Sequence, residues 1–169
     1  MPSLEAWRFA TEEGAPVAES MDEAASQAPT RAAWHCAKGC AACCYLMVES
    51  TSREIDALVP CVTPAIGQRI RANALVARGL DAGAYRLARP RCAFLDTDGL
   101  CAAYEVRPVR CRSHVSSDVE VCRRGLAGEQ PGCTVPGDGW LRSVASAVQE
   151  GLGGATRELH QALAERLDD

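Results

Sequence analysis

The sequence predicts a small, mainly α-helical domain with one short β-hairpin and an unusual number of cysteines. Apolar residues recur at helical spacing in several separate segments. One Asp-Gly turn lies between two short apolar runs, which is typical of a hairpin. Ten cysteines stand among 169 residues, while aromatic residues make up only 5%. Bound metal would therefore add useful stability, since a structural zinc site contributes roughly 10–16 kcal/mol of apparent binding free energy.

The N-terminal half contains three predicted helices and one acidic stretch. Leu4 to Phe9 favours a short amphipathic turn or helix. Residues 11–30 hold five acids, two prolines and no basic residue, so we expect a linker or an arm that orders on contact. Thr51-Ser52-Arg53-Glu54 is a capping box, which predicts a helix that ends near Val59. Pro64 to Arg78 has one apolar face and predicts another helix.

The C-terminal half contains the predicted hairpin and a long amphipathic segment. Cys92 to Tyr104 predicts the hairpin, with Asp96 to Gly99 as its turn and one cysteine on each arm. Pro108 suits the first turn of a further helix. Trp140 to Leu167 predicts a helix, although Gly151, Gly153 and Gly154 weaken it.

These elements divide the chain into three parts. We expect an acidic arm at residues 1–31 and a cysteine-cluster domain at residues 32–135. A C-terminal amphipathic helix at residues 136–169 is expected to pack on that domain.

Composition limits the partners and the compartment. The net charge of -4 and the absence of a basic run interleaved with aromatics argue against nucleic acid as a partner. No stretch of about 18 apolar residues is present, so we expect no membrane span. The N-terminal segment lacks the apolar core of a signal peptide, which favours the cytoplasm. In a reducing compartment, cysteines at such spacing indicate metal binding more than disulfides.

Eight cysteines carry the main chemical signal of the chain. Thiolates are soft anionic ligands that hold zinc or iron–sulfur centres. The first four stand as C-x3-C-x2-C-C, in a helix from Cys36 onward or in a tight loop that leads into a helix. We predict zinc as the metal, with an iron–sulfur cluster as the alternative. The predicted ligands are Cys36, Cys40, Cys43, Cys44, Cys92, Cys101, Cys111 and Cys122.

The adjacent pair Cys43 and Cys44 bears on how the ligands are shared. Neighbouring side chains diverge by about 100° on a helix and point to opposite faces of a strand. It is therefore unfavourable for both thiolates to bind one mononuclear ion. Eight sulfurs divide into two four-sulfur sites or form one multinuclear site, and the sequence leaves both open.

Residues near the cysteines have less specific roles. His114 follows Cys111 by three positions and could supply a nitrogen ligand, but a solvated or capping histidine is the preferred interpretation. His35 and His160 join no recognisable ligand set. Trp34 and Tyr45 flank the first cluster and are expected to shield it from water. Arginines at positions 107, 110, 112, 123 and 124 could offset the negative charge of a metal–thiolate centre.

The pattern resembles the YkgJ-like cysteine-cluster family, whose members are described as zinc- or iron-chelating. The resemblance covers about residues 34–124, a little over half of the chain. It implies metal chelation and leaves Cys61 and Cys133 outside the pattern. Besides the eight cysteines, the matching residues are Phe94, Leu95, Tyr104, Arg107, Pro108 and Arg112.

Three functions are compatible with such a cluster. A structural or metal-handling role is the first, because all-sulfur sites without an open position are usually structural. The second is an iron–sulfur enzyme component, since Cys36, Cys40 and Cys43 match the cluster motif of radical S-adenosylmethionine enzymes. The first cluster also resembles part of flagellin lysine methylases, but no glycine-rich cofactor loop is present, so a methylase role would need a partner. The third is metal trafficking or redox sensing, because adjacent thiolates and two surplus cysteines would permit metal exchange or oxidation.

Overall fold

Nine α-helices and two short strands form the regular structure in the computed structural model, which describes residues 2–128 and 137–169. The strands are β1 (Glu49–Ser50) and β2 (Arg157–Glu158). This architecture confirms the predicted mainly α-helical fold. The helices are α1 (Leu4–Glu12), α2 (Val17–Gln27), α3 (Ser52–Leu58), α4 (Pro64–Ala77), α5 (Ala82–Ala88), α6 (Val109–Ser113), α7 (Val119–Ala127), α8 (Gly139–Gly151) and α9 (Leu159–Asp168).

Helices α1, α2, α6 and α8 enclose the first of two hydrophobic cores. Trp7, Met21 and Val144 are buried together there. The acidic stretch at residues 11–30 therefore includes a packed helix, because Met21 and Ala24 give α2 an apolar face. The proposed domain division stays a prediction, and its boundary at residue 135 lies outside the described residues.

Helices α3, α4 and α9, together with the turn that follows Cys92, form the second core. Ile70 and Leu163 are fully buried in it, and Phe94 is almost so. Helix α3 begins with the predicted capping box: the Thr51 N–H donates to Glu54 Oε2 at 2.7 Å, and the Glu54 N–H donates to Thr51 Oγ1 at 3.4 Å. Helices α1, α3 and α4 begin and end within a few residues of their predicted bounds, so these predictions are confirmed.

The buried carboxylate of Glu54 also joins the two cores. Its Oε1 accepts a hydrogen bond from the Val109 N–H at 2.8 Å, at the start of α6. Its Oε2 accepts one from Gln149 Nε2 of α8 at 3.3 Å. One side chain of α3 therefore holds α6, which carries Cys111, against both cores.

The predicted hairpin forms as a tight turn with little strand on either side. The Asp96 N–H donates to the Leu100 carbonyl at 2.9 Å, and Gly99 adopts a φ of +78°. Leu95 and Cys101 make a single antiparallel bridge. The two strands of the sheet lie elsewhere, where β1 pairs antiparallel with β2 near the C-terminus.

The C-terminal segment forms two helices instead of the single predicted one. Helix α8 ends at Gly151, and Gly153 and Gly154 adopt left-handed φ values of +72° and +82° that redirect the chain. Such backbone angles are accessible mainly to glycine. Helix α8 then lies in the first core and α9 in the second, with β2 between them.

Candidate metal centre

All eight predicted ligands line one cavity of about 840 Å3. Residues of both cores contribute to its wall, among them Met21 from the first core and Phe94 from the second. Cys61 is half-buried against the second core and does not line the cavity. Cys133 lies outside the described residues. The fold thus brings together the cysteines that share a sequence pattern and leaves Cys61 aside.

The first cysteine cluster lies on a loop. Gly39 has a φ of +89°, which interrupts any helix that would start at Cys36. A single 3-10 turn then runs over Ala42–Tyr45 and carries Cys43 and Cys44. Of the two local alternatives, the loop is therefore correct, although it leads into a 3-10 turn and not into an α-helix.

The hairpin turn carries two further cysteines to the cavity. Its turn is fixed by Asp96, whose Oδ1 accepts hydrogen bonds from the Asp98 N–H at 3.0 Å and the Leu100 N–H at 2.8 Å. This confirms Asp96 as a turn residue. The Cys92 N–H donates to the Cys44 carbonyl at 2.8 Å. Backbone hydrogen bonding therefore ties the hairpin to the first cluster.

Helices α6 and α7 supply Cys111 and Cys122. Helix α7 packs against the 3-10 turn that carries Cys43 and Cys44. Between α6 and α7, the Ser116 N–H donates to Cys36 Sγ at 3.1 Å, and the Ser116 carbonyl accepts from the His35 N–H at 2.9 Å. Ser116 is nearly inaccessible to solvent and was not identified from the sequence. No pattern of residue types predicts a backbone donor to sulfur across so long a separation.

The surroundings of these sulfurs favour the protonated thiol. A hydrogen bond with Cys44, reinforced by burial, raises the pKa of Cys43 far above its ordinary value. A metal must therefore displace protons in order to bind, and its own charge stabilises the thiolates. Burial is the main cause of a raised pKa at five more thiols, those of Cys36, Cys92, Cys101, Cys111 and Cys122.

Cations outnumber acids along the described part of the cavity wall. Asp22 is the one acidic residue there. Arg107 acts on three thiols. Its positive charge lowers the pKa of Cys43, Cys101 and Cys111, although burial and neighbouring thiols raise each of these pKa values by more. Its guanidinium lies 3.8 Å from the centre of the Tyr104 ring, which helps to fix it. The cations are Arg31, Lys38, Arg86, Arg107, Arg110, Arg112 and Arg142, so Arg123 and Arg124 take no part.

The donor set fits zinc or an iron–sulfur centre by its chemistry. Eight sulfurs and a cationic wall match an anionic metal–thiolate centre. Within residues 2–128 and 137–169, however, no three Cys, His, Asp or Glu side chains are close enough together to hold a metal ion. Ligation would therefore require the sulfurs to close inward on the cavity.

The three histidines differ in their relation to the cavity. His35 is exposed and does not line it, while His114 lines it but is exposed. His160 is only 3% exposed and also lines it. Its Nε2 accepts a hydrogen bond from the Ala93 N–H at 3.3 Å, so the ring proton lies on Nδ1, which is 3.0 Å from Glu158 Oε1.

The buried His160 acts on the backbone beside Cys92. Ala93 follows Cys92 directly, and Tyr85 OH lies 3.3 Å from His160 Nδ1. The imidazole therefore joins α5, α9 and the hairpin in one polar network. This role could not be predicted from the residue pattern, because a single histidine on an amphipathic helix has no recognisable partner. Trp34 lines the cavity as expected of a shielding residue, whereas Tyr45 does not.

Comparison with known proteins agrees with this chemistry. The family model "CxxCxxCC: Putative zinc- or iron-chelating domain" matches residues 35–131, more than half of the chain. No curated protein and no solved structure matches the chain significantly. Among the described residues, every helix is too short or too polar to cross a membrane.

Proposed function

This chain belongs to the CxxCxxCC family of zinc- or iron-chelating domains, and we propose that its eight pattern cysteines bind metal in the central cavity. We propose zinc as the metal and a structural or metal-handling role. One observation carries the proposal: all eight cysteines line the same cavity although they come from four parts of the chain.

The eight pattern cysteines line the cavity and Cys61 does not, which supports metal chelation over a general tendency of thiols to be buried. Cysteine is often buried as a small apolar residue, and Cys61 behaves in that way against the second core. The eight pattern cysteines instead face a space large enough for metal and are accompanied by cations. Arg107 stabilises the thiolate form of three of them, which is useful only where thiolates form.

The position of the cavity between the two cores supports a structural role. Metal bound there would link the loop at Cys36–Cys44, the hairpin, α6 and α7. Six of the eight thiols have a raised pKa, which favours their uncharged form without metal, and bound metal would draw their thiolates together. Metal binding would contract the cavity and couple the two cores.

The proposal is tested on protein purified without oxygen, by measuring both the metal content and the visible absorption spectrum of the same sample. We expect colourless wild-type protein with about two zinc ions for eight thiolates. Brown protein with iron and acid-labile sulfide would support chelation but would identify the bound group as an iron–sulfur centre and not as zinc. Folded wild-type protein with neither metal would overturn the proposal.

Two cysteine variants provide the matched comparison. Cys40→Ser should lower the metal content and the stability, because it removes one ligand of the cavity. Cys61→Ser should keep the wild-type metal content, because Cys61 lies outside the cavity. Equal loss of metal in both variants would contradict the assignment of the ligands.

A further inference from the structure

We infer that the cavity binds a second ligand, a small organic anion with a carboxylate or phosphate group, at the place where Lys38 and Arg107 both contact the ring of Tyr104. This site lies in the same cavity as the proposed metal centre but uses side chains of the wall other than the cysteines. Anion binding there would be a property of the protein beyond metal chelation.

The cavity wall carries more positive charge than bound metal would offset. Seven cations and a single carboxylate, that of Asp22, line the described part of the cavity, so this wall has a net charge of +6 when the thiols are uncharged. Two zinc ions on eight thiolates together carry about -4, which would leave a surplus of about +2 after full loading. A cleft lined by charge of one sign attracts ions of the opposite sign. The surplus therefore favours an anionic ligand.

Most of these cations have no internal counter-charge. Arg112 is the exception, because its Nη1 lies 3.2 Å from Asp22 Oδ1. Arg110 donates to the neutral Gln149 at 2.9 Å, which leaves its charge uncompensated. As far as the structure describes the chain, the six cations without a carboxylate partner are Arg31, Lys38, Arg86, Arg107, Arg110 and Arg142.

The ring of Tyr104 holds two of these six cations close together. The guanidinium carbon of Arg107 lies 3.8 Å from the ring centre, and Lys38 Nζ lies 5.5 Å from it. The two charges are thus within about 10 Å of each other, and their mutual repulsion would be relieved by an anion placed between them. Contact with an aromatic ring fixes a cation without neutralising it. Both cations therefore stay available to a ligand.

Arg107 also has hydrogen-bond donors to spare. Its Nε donates to the Tyr104 carbonyl at 3.2 Å, which adds to the ring contact in fixing the side chain. Within the described residues, its two terminal nitrogens make no hydrogen bond. A guanidinium with free terminal N–H groups binds carboxylate or phosphate through paired hydrogen bonds. These are the groups that we assign to the anion.

The rest of the cavity suits the carbon skeleton of such an anion. Its volume of about 840 Å3 lies within the range of about 300–1,000 Å3 that is typical of small-molecule sites. Trp34, Leu46 and Phe94 give the wall apolar surface. Lys38 is exposed although it lines the cavity, so the charged group would bind at an opening and the apolar body farther inside.

Calorimetric titration of the protein as purified tests this inference with two probes, phenylsuccinate and phenyl phosphate. Both are doubly charged and share a phenyl body, so their relative affinities show whether carboxylate or phosphate is preferred. Benzyl alcohol is the uncharged control. We expect saturable binding of at least one of the two anions, weaker at high salt, and no binding of benzyl alcohol. Failure of both anions to bind, or equal binding of the alcohol, would overturn the inference.

Two double variants locate the site. Lys38→Gln with Arg107→Gln removes both cations at the Tyr104 ring and should weaken anion binding roughly 10- to 100-fold. Arg78→Gln with Arg123→Gln makes the same change of net charge at exposed positions outside the cavity and should leave binding unchanged. Equal losses in the two double variants would contradict the site.

A single substitution answers the same question if the first double variant fails to fold. Lys38 is exposed, so Lys38→Gln should fold and should bind the anion roughly 10-fold more weakly. An affinity equal to that of the wild type would overturn the site. The metal content of the same samples separates the two proposals: metal without anion binding contradicts only this inference, and anion binding without metal contradicts only the proposed function.

Discussion

The backbone N–H of Ser116 donates a hydrogen bond to Cys36 Sγ at 3.1 Å, across 80 positions of the chain. The carbonyl of the same serine accepts the His35 N–H at 2.9 Å. The first cysteine of the cluster is thus fixed to the segment that leads into α7 and Cys122. Hydrogen bonds to sulfur orient metal ligands and adjust their basicity.

The side chain of Ser116 should control how firmly the cavity holds its metal. In Ser116→Ala the backbone contact with Cys36 remains, but the hydroxyl that contacts Cys122 and the Asp118 backbone is lost. We expect roughly 10-fold faster metal release. Stopped-flow transfer of the metal to a coloured chelator measures the release rate. A release rate equal to that of the wild type would contradict the role of Ser116.

Arg107 should strengthen metal binding through its charge. Removal of that charge in Arg107→Gln destabilises the thiolates of Cys43, Cys101 and Cys111, so we expect affinity to fall roughly 10- to 100-fold. Arg107→Lys keeps the charge and should retain more of the affinity. Competition with a chelator of known affinity measures the change.

Arg123→Gln is the control for this charge effect. Arg123 is an exposed arginine of α7 that does not line the cavity. Its substitution should leave the metal affinity unchanged. An equal loss in Arg123→Gln and Arg107→Gln would indicate an effect of net charge and not of the position of Arg107.

Asp138 should make stability depend on pH in the acidic range. Burial alone would raise the pKa of Asp138, but hydrogen bonds from Thr30 and from the N–H of Leu141 together lower it below 3.8. An ionised Asp138 therefore stabilises the fold above the pKa of the unfolded chain. That stabilisation is lost as the pH falls through the lower pKa of the folded state.

Asp138→Asn tests this pH dependence. Asparagine can still cap α8 but does not ionise. We expect the wild type to lose its stability advantage over Asp138→Asn as the pH falls below about 4. Urea unfolding of both proteins between neutral pH and pH 3 measures the difference. A difference in unfolding free energy that stays constant over this range would exclude ionisation of Asp138 as its source.

Gly151 should be required by the close contact of α8 with α1. A Cβ at position 151 would overlap the Arg8 carbonyl oxygen and lie 2.9 Å from Thr11 Cβ. We expect Gly151→Ala to lower the free energy of unfolding by about 1–3 kcal/mol. Gly139→Ala is the matched control at the other end of α8, where a Cβ would meet nothing within 4 Å. Gly139→Ala should be neutral or should stabilise the protein by about 0.4–1 kcal/mol. Thermal unfolding measures both variants, and equal effects of the two substitutions would contradict the close packing at Gly151.

Local sequence signals predicted much of the fold and the composition of the site. Thr51 and Glu54 predicted their helix because a capping box depends on residues that are close in the chain. Asp96 predicted its turn for the same reason. The break at Gly153 and Gly154 was missed, because glycine only weakens a periodic pattern and does not show where each half will pack.

Long-range contacts were beyond what the sequence could predict. The roles of Ser116 and His160 depend on which backbone groups the fold brings to them, and neither residue type is specific for such a role. Glu54 was recognised as a capping residue, but its bond to the Val109 N–H, which joins the cores, depends on tertiary structure. That the eight pattern cysteines line one cavity likewise became visible only in the fold.

Native mass spectrometry of the chain purified without oxygen is the decisive test of metal binding by the cavity. We expect an intact mass above that of the polypeptide by two metal ions or clusters, and loss of that excess when a chelator is added. A folded chain with the bare polypeptide mass would contradict metal binding by the cavity. A mass lowered by the hydrogens lost in disulfides would contradict it as well.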